Sequence, residues 1–322
     1  MRKYNLPIFI PHRGCRHDCV FCNQRKITGV DTEITPNYVR NRIKEFLSTI
    51  DTENSSVEIA FFGGSFTGLE VGTQEAFLKV ACEFSDQISG IRLSTRPDYI
   101  NPEIIELMKK YNVTTVELGV QSSDDDVLRL NNRGHKFLDV VNASKFIKNA
   151  GITLGHQMMI GMYASTPEKD MKTVSDVIKL SPDCVRIYPV ITLKDTKLEQ
   201  LFKSGGYQPY SIELAAELSK NAVLEFKKAG IDVIRVGLHS SDELEEDGGV
   251  VAGPYHQAFG EIVESLIFRE RIEEEIAGKK LSNSDFEFIC KKNEVSKALG
   301  HKKMNTKYFY DKYNIRLKVK TD

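Results

Sequence analysis

Three cysteines lie close together near the start of the chain, in the segment GCRHDCVFCNQ at residues 14–24. Three residues separate Cys15 from Cys19, and two separate Cys19 from Cys22. The chain holds six cysteines in 322 residues, which is too sparse for a disulfide framework. A close-set trio of reduced thiols is instead typical of a metal site, and the trio therefore predicts metal binding.

The fourth ligand decides which kind of metal site this is. His12 or His17 could complete a structural zinc site, although the ligands of such sites usually come as two separated pairs, and no second pair follows. The other alternative is a cubane iron–sulfur cluster, in which three thiolates bind three irons and leave the fourth iron to an external ligand. An open coordination position is typical of a catalytic metal site.

Unusual segments also follow the apolar runs further along the chain. Gly and polar residues at these points suggest loops that bind a ligand, because the carboxyl ends of parallel strands meet at one edge of a sheet. The segments are GGSFT from Gly63, STRPD from Ser94, QSSDDD from Gln121, GMY from Gly161 and YPV from Tyr188.

The elements that would position these loops are alternating strands and helices. Apolar runs of strand length alternate with segments of helical period, and Asn101 with Pro102 predicts one helix start. Strand followed by helix, six times over, predicts parallel strands joined by right-handed crossovers in an α/β fold. The predicted strands are 6–11, 57–62, 91–95, 115–120, 153–160 and 184–191.

A further helix at 210–229 and a short strand at 232–238 extend this pattern. From residue 239 the sequence predicts a mainly helical extension docked on the first domain, so that the domains are 1–238 and 239–322. One apolar stripe supports docking, since its members recur at helical spacing. The stripe consists of Phe259, Ile262, Val263, Leu266 and Ile267.

Charge is nearly balanced at −1 overall but uneven along the chain. Residues 239–290 hold 13 acidic and 4 basic residues, whereas residues 291–320 hold 10 basic and 2 acidic ones. The basic tail could bind RNA phosphates and stack bases on Tyr308, Phe309, Tyr310 and Tyr313, or its aromatics could pack on the acidic segment. No signal peptide and no apolar run of about 20 residues is present, so we expect a cytoplasmic protein without a membrane partner.

The spacing of the cysteines, with an aromatic residue before the last one, resembles the signature loop of the radical SAM (S-adenosylmethionine) enzymes. The resemblance implies a partial (β/α)6 TIM-type barrel with a [4Fe–4S] cluster bound by Cys15, Cys19 and Cys22 after the first strand. It further implies that SAM binds the open iron. A reduced flavodoxin- or ferredoxin-type donor supplies an electron, and the deoxyadenosyl radical released from SAM abstracts hydrogen from a substrate.

The same resemblance assigns SAM contacts residue by residue. Phe21 matches the family's adenine contact, and Gly63 and Gly64 match the glycines whose backbone approaches the SAM amino group. Thr95 and Arg96 fall where the family often places polar contacts to SAM, and Gly161 corresponds to a backbone contact near the adenine. Gln121 and Arg133 are further candidates for contacts to SAM.

The segment VELGVQSSDDDVLRLNNRGH at residues 116–135 resembles the radical SAM domain of Elongator's catalytic subunit, which suggests a tRNA base as substrate. Three features differ from Elongator's subunit. Ser94 stands where that subunit typically has an acidic residue, and the first two cysteines of that subunit lie further apart than Cys15 and Cys19. Too little chain also remains here for the acetyltransferase domain that the subunit carries. Relatives of oxygen-independent coproporphyrinogen oxidase usually have another cysteine where Asn23 follows Cys22. The resemblance is greatest to stand-alone Elongator-like proteins.

Several side chains at or beyond strand ends could contact the substrate or protonate an intermediate. His239 and His256 also flank an acidic, glycine-containing segment that could form a lid. Two other functions remain open: a zinc-stabilised nucleic-acid-binding protein and an iron–sulfur electron-transfer or sensor protein. The candidates are Arg133, His135, His156, Arg186, Tyr188, His239 and His256.

Overall fold

The computed structural model of the chain describes residues 2–10, 14–23, 34–52, 54–238, 249–279 and 284–321. His12, His239 and the proposed lid at residues 242–247 lie outside these residues. Among the residues described, no helix is long and apolar enough to cross a membrane.

A curved sheet of parallel strands forms the centre of the molecule. Each strand of this sheet pairs in parallel with the strand that follows it in the chain, except that the sixth strand pairs with the eighth and the short seventh strand lies outside the sheet. All six predicted strands and the short strand predicted at 232–238 belong to this sheet, so the prediction of a partial barrel is confirmed. In sheet order the strands are β1 (Arg2–Ile10), β2 (Ser55–Gly63), β3 (Gly90–Thr95), β4 (Val113–Gln121), β5 (Thr153–Ile160), β6 (Cys184–Pro189) and β8 (Asp232–Val236). A two-residue strand, β7 (Thr192–Leu193), pairs antiparallel with β9 (Val250–Ala252) beyond the end of β6.

Helices connect the strands and cover the convex face of the sheet. Those of the barrel are α1 (Pro36–Leu47), α2 (Val71–Cys82), α3 (Pro102–Lys110), α4 (Asp125–Leu130), α5 (Phe137–Asn149), α6 (Pro167–Leu180), α7 (Lys197–Lys203) and α8 (Ile212–Lys228). Those of the extension are α9 (Phe259–Ile276), α10 (Val295–Leu299) and α11 (Met304–Tyr313).

The start of α3 follows the predicted capping pattern. The Asn101 side-chain oxygen accepts a hydrogen bond from the Ile104 amide at 2.9 Å, and Pro102 occupies the first turn, where its missing N–H costs nothing. Replacing Asn101 with alanine is therefore expected to lower the free energy of unfolding by about 1 kcal/mol in urea titrations. Asn101→Asp, which keeps the cap, serves as control; equal stability of the alanine variant and wild type would contradict this prediction.

The two faces of the sheet differ in chemistry, because successive side chains on a strand point to opposite sides. Val185 and Ile187 of β6 point outward and pack in the main apolar core with Phe226 of α8. Arg186, between them, points inward, and its guanidinium carbon lies 5.4 Å from the ring centre of Phe62 on β2. A contact from β6 to β2 is possible only across the concave side, so the concave face is polar and charged.

Helix α9 joins the extension to the barrel. Phe259, Val263 and Ile267 belong to the main core, with Ile262 and Leu266 packed against it, as the predicted stripe requires. Further along, Phe268, Ile272 and Ile276 belong to a second core within the extension. Besides its helices the extension contains a two-stranded parallel sheet, β10 (Ser284–Cys290) and β11 (Ile315–Thr321), which the sequence analysis did not predict. The boundary at residue 238 remains a prediction.

The aromatic residues of the basic tail mostly pack inside the extension. The Tyr308 and Tyr313 hydroxyls both donate to Glu273 Oε1 at 2.7 Å, and Phe309 is fully buried. These rings therefore pack on the acidic segment, as one of the two alternatives expects, and base stacking on the partly buried Tyr308 and Tyr313 remains a prediction. Tyr310, 56% exposed, is still accessible.

Candidate active site

The three cysteines line one pocket at the carboxyl ends of the strands. The loop that carries them turns back on itself, with the Cys22 amide donating to the Cys19 carbonyl at 3.0 Å. It is tied to later parts of the barrel by Val20, whose amide donates to the Asn131 carbonyl at 3.2 Å. The pocket is lined by Cys15, His17, Asp18, Cys19, Phe21, Cys22, Gly63, Gly64, Ser65, Ser94, Thr95, Arg96, Gly119, Gln121, Arg133 and Gln157.

Gly14 sets the position of the first cysteine. Its φ of 75° lies in the left-handed region, and a Cβ there would lie 2.0 Å from the Ser65 carbonyl oxygen. Only glycine allows this approach of the cysteine loop to the loop after β2. The Cys15 thiol consequently lies 3.8 Å from the Ser65 hydroxyl. Burial raises the pKa of the Cys15 thiol, and the Ser65 hydrogen bond and the charge of Arg133 partly offset this.

Arg133 links the cysteine loop to the sheet. One terminal nitrogen donates to Cys19 Sγ at 3.2 Å, and the other donates to the Gly119 carbonyl of β4 at 2.9 Å. The thiolate is the form of cysteine that binds metal, and a guanidinium can donate a hydrogen bond to it. Arg133 was predicted to contact SAM or the substrate. The structure shows that it also contacts Cys19.

The glycine pair after β2 forms one edge of the pocket. Gly63 has a φ of 99°, which glycine alone adopts readily. The Gly64 amide donates to the Ile10 carbonyl at 3.0 Å and so joins the ends of β2 and β1. Both glycines line the pocket, where Gly63 is partly exposed and Gly64 is buried.

Buried polar atoms without a partner face the same pocket. Gln121 Oε1, Arg96 Nη1 and Arg133 Nε are all buried and have no hydrogen-bond partner among the described residues. Such atoms are uncommon and are usually satisfied by water or a ligand. Gln121 adopts a φ of 66° where the β4–β5 register shifts, so its side chain is placed by an irregular strand end. This set of donors and an acceptor fits a polar ligand such as SAM.

Thr95 and Arg96 also line the pocket but are largely engaged with the protein. The Thr95 hydroxyl lies 2.7 Å from the Thr67 hydroxyl. Arg96 donates two hydrogen bonds of 3.0 Å to Asp98 and lies over the Tyr99 ring. These contacts hold the Arg96 guanidinium in place, with one terminal nitrogen left over.

Gly161 does not line the pocket. Its amide donates to Asp170 Oδ2 at 2.9 Å, and its carbonyl accepts from the Tyr207 hydroxyl at 2.8 Å. Burial raises the pKa of Asp170 to about 6, and bonds from Ser165 and Gly161 counteract part of this rise. Gly161 therefore has a visible structural role, and its assignment to the adenine remains a prediction.

The predicted catalytic histidines do not converge on the pocket. His156 is on the convex face with its Nε2 2.9 Å from the Ser144 hydroxyl of α5, which contradicts a catalytic role. His135 is buried beside the backbone of Val120 and Arg133, and His256 Nδ1 accepts from the Ala258 amide in the loop before α9. Burial lowers the pKa of both His135 and His156 to about 3, so both rings are neutral at pH 7.

His17 lines the pocket, yet its ring lies against Gly134, where a Cβ would come within 2.4 Å of Nε2. Within the described residues, which omit His12, no three His, Cys, Asp or Glu side chains converge as ligands of a single ion do. The three cysteines nevertheless line one pocket, and their assignment as cluster ligands remains a prediction.

Residues that the sequence analysis missed form the floor of the pocket. Gln157 donates to the Ser94 hydroxyl at 3.2 Å and to Glu117 Oε2 at 2.8 Å. Glu117 in turn accepts from Arg186 at 2.6 and 2.9 Å. A partial sequence signal existed, because Glu117 interrupts the apolar run of β4 and Gln157 interrupts that of β5.

Comparison with protein families agrees with this architecture. The description "Radical SAM superfamily" matches residues 9–177, and "Radical_SAM C-terminal domain" matches residues 182–269. The first match alone covers more than half of the 322 residues.

The acetyltransferases and Elongator proteins that this chain matches are much longer than it is. A tRNA uridine(34) acetyltransferase of Methanocaldococcus infernus is 30% identical over 204 residues, which is 56% of this chain and 38% of that protein. Elongator complex protein 3 of Saccharomyces cerevisiae is 29% identical over 201 residues, covering 56% of this chain and 36% of that protein. The chain thus spans less than two fifths of these relatives' length.

Solved structures show the same fold. Elp3 of Methanocaldococcus infernus superimposes with a TM-score of 0.66 at 24% identity, covering 85% of this chain and 63% of that one. Coproporphyrinogen III oxidase of Escherichia coli gives a TM-score of 0.53 at 17% identity, covering 71% and 52%. The match to the radical SAM family model favours radical SAM chemistry over the zinc-binding and non-catalytic alternatives. The chain is an Elongator-like enzyme of the radical SAM superfamily, whose cofactors are a [4Fe–4S] cluster and S-adenosylmethionine.

Proposed function

We propose that Cys15, Cys19 and Cys22 bind the [4Fe–4S] cluster and that the pocket beside them binds SAM. The observation that carries this proposal is the shared pocket, which combines three thiols with buried polar atoms that lack partners. When bound, the cluster and SAM supply a reducing electron and a deoxyadenosyl radical that abstracts hydrogen from the substrate. A reduced flavodoxin- or ferredoxin-type protein is the proposed electron donor.

The chain's own residues bind and orient the cofactors. The backbone of Gly63 and Gly64, which lines the pocket without a side chain, admits the SAM amino group, while Gln121 and Arg133 offer an acceptor and a donor to its polar groups. Phe21, partly buried in the pocket wall, offers a flat apolar surface to the adenine. The carboxylate of SAM is matched by the guanidinium of Arg133 or Arg96.

Anaerobic reconstitution tests this proposal. We expect about four irons and four sulfides per chain, and formation of 5′-deoxyadenosine when SAM and a strong reductant are added. Stoichiometric zinc with neither iron nor sulfide would contradict cluster binding. Iron without any 5′-deoxyadenosine, with tRNA present, would contradict SAM cleavage.

The proposed substrate is a tRNA nucleoside, with a small metabolite as the alternative. The names of the similar acetyltransferases support tRNA. The basic composition of the tail overstates the positive charge available to RNA, because three basic residues form ion pairs. Arg316 and Lys318 pair with Asp285, and Lys320 pairs with Glu287. At the start of α11, however, Lys302, Lys303 and Lys307 are exposed, and no acid among the described residues pairs with them.

We therefore expect the triple substitution Lys302→Gln, Lys303→Gln and Lys307→Gln to weaken tRNA binding. For every lysine that binds a phosphate, its replacement should reduce the slope of log K against log salt by roughly 1. Gel shifts with unmodified tRNA over a series of salt concentrations measure this slope. The double variant Lys318→Gln, Lys320→Gln is the matched control and should bind like wild type. Identical slopes for the triple variant and wild type would remove the tail as an RNA-binding surface and favour a small metabolite.

A further inference from the structure

The concave face of the barrel carries a row of charged side chains that the cofactor site does not use. Arg92 pairs with Glu58 at 2.6 Å and with Glu117 at 2.8 Å. Arg186 pairs with Glu117 at 2.6 Å. These two arginines and two glutamates are arranged alternately on β2, β3, β4 and β6, so their charges cancel.

Arg235 of β8 extends the row by one more positive charge. Its Nε donates to the Gly237 carbonyl at 3.1 Å. No carboxylate in the described part of the chain lies within ion-pair distance of its guanidinium. The row from β2 to β8 therefore contains three guanidinium groups and two carboxylates, and the excess positive charge is at Arg235.

A strand irregularity places Arg235 on the concave face. Val233 pairs in register with Val185, but the next pair is Arg235 with Arg186, so Ile234 is an extra residue in β8. Such a bulge reverses the direction of the side chains that follow it. Here it places Arg235 on the same side as Arg186 and leaves Ile234 42% exposed, an unfavourable position for isoleucine.

The surroundings of Arg235 make an unpaired guanidinium costly. Burial lowers its pKa, and the neighbouring Arg186 charge lowers it further, while Tyr188 acts in the opposite direction. Burial also raises the pKa of Tyr188, although Arg186 partly counteracts this, so that its hydroxyl stays protonated and can donate. A partly buried arginine next to a second arginine is favourable only when an anion accompanies it.

Arg235 also lies at the level of the cofactor pocket. Gln157, which lines the pocket, pairs in register with Arg186, and Arg186 pairs with Arg235. Two strand spacings of about 4.8 Å put Arg235 roughly 10 Å from Gln157 across the sheet. A small molecule or a nucleotide that starts at the pocket and follows the concave face would reach both residues.

We propose that Arg235, with the Tyr188 hydroxyl beside it, binds an oxyanion of the substrate, either a phosphate or a carboxylate. This assignment rests on the proposed function, because it takes the concave face beside the SAM pocket as the place of the substrate. A phosphate belongs to a nucleotide substrate, and a carboxylate belongs to a small acidic metabolite. The planar fork of arginine suits both groups.

Thermal unfolding of the reconstituted protein in inorganic phosphate, acetate or chloride, at constant ionic strength, tests the site. We expect phosphate or acetate to raise the Tm of wild type in a saturable way. Arg235→Gln should bind the same anion roughly 10- to 100-fold more weakly, as loss of one charge-assisted hydrogen-bonded pair predicts. Arg316→Gln, an exposed arginine on β11, is the matched control and should respond like wild type. General salting-out by phosphate affects all three proteins alike and does not saturate.

A second measurement needs no variant. Phenylglyoxal modifies accessible guanidinium groups, and mass spectrometry gives the rate at Arg235 and at Arg316 in wild type. The bound anion should slow modification of Arg235 and leave Arg316 unchanged. Saturation by phosphate points to a nucleotide, and saturation by acetate alone points to a carboxylate. The proposal is overturned by the lack of a saturable response to either anion, by an Arg235→Gln response equal to that of wild type, or by unprotected Arg235.

Assays of 5′-deoxyadenosine on the same wild-type preparation separate this proposal from the proposed function. Anion binding without SAM cleavage would overturn the proposed function and leave an oxyanion site. SAM cleavage without anion binding would overturn only the role of Arg235.

Discussion

Replacing Cys19 with alanine is expected to abolish cluster binding and, with it, cleavage of SAM. In the proposed site each of the three thiolates binds one iron, so the substitution removes the protein ligand of one iron. The side chain that contacts the Cys19 sulfur is Arg133, whose guanidinium cannot replace a thiolate. Iron and sulfide should fall far below about four per chain. Formation of 5′-deoxyadenosine should fall to the background of the reductant alone.

Cys82→Ala is the matched control for this variant. Cys82 is a partly buried thiol on α2 that donates only to the Tyr111 carbonyl at 3.5 Å. It should keep the full iron content and full SAM cleavage. Wild-type amounts of iron and 5′-deoxyadenosine in Cys19→Ala would contradict the assignment of the three cysteines, whereas losses in both variants would indicate a folding defect.

Glu117→Gln is expected to have the largest effect on stability of any single substitution considered. The carboxylate is 1% exposed and accepts hydrogen bonds from Arg92, Arg186 and Gln157. Removing one partner of a buried ion pair typically costs about 3 to 5 kcal/mol, because the opposite charge stays buried without compensation. Urea titration near pH 7 measures the difference in free energy of unfolding.

Acidity provides a second test of the same interaction. Burial alone would raise the pKa of Glu117, but the hydrogen bond and charge of Arg186, with Gln157 and Arg92, lower it below the ordinary value. A depressed carboxyl pKa contributes stability that is present above about pH 4.3, the ordinary value for glutamate, and is lost as pH falls through the folded-state pKa. The difference between wild type and Glu117→Gln should therefore shrink below about pH 4.

Glu106→Gln is the control for this pair of measurements. Glu106 is an exposed acid paired with Lys109 one helical turn away. Its loss should change stability by less than about 1 kcal/mol, as for other surface pairs. Equal and small effects of both substitutions would show that the concave-face network contributes little to folding.

Much of this fold could be predicted because its signals are local. Apolar runs bounded by turn residues mark strands, and helical periodicity marks the segments between them. All six predicted strands are present, and the first of them extends from residue 2 instead of residue 6. The sequence analysis did not predict the sheet of β10 and β11. These two strands are separated in the chain by helices α10 and α11, and no local sequence pattern shows that they pair.

Histidines show why residue type alone predicts poorly. His156 lies on a strand between Gly155 and Gln157, and the strand's alternation decides which of the three points inward. In the structure Gln157 faces the cofactor pocket and His156 faces α5. A histidine is chemically versatile, but burial and a single Ser144 contact leave this one neutral and structural.

The sequence by itself determined the family, the cysteine trio and the glycine pair, because each depends on residues only a few positions apart. Tertiary structure alone decided which distant groups meet. Arg133 reaches Cys19 across 114 positions of the chain, and Glu117 collects Arg92 and Arg186 from other strands. One bulged residue, Ile234, decides that Arg235 points inward. Such contacts depend on strand order, register and curvature, which arise from the packing of the whole sheet and have no local signature.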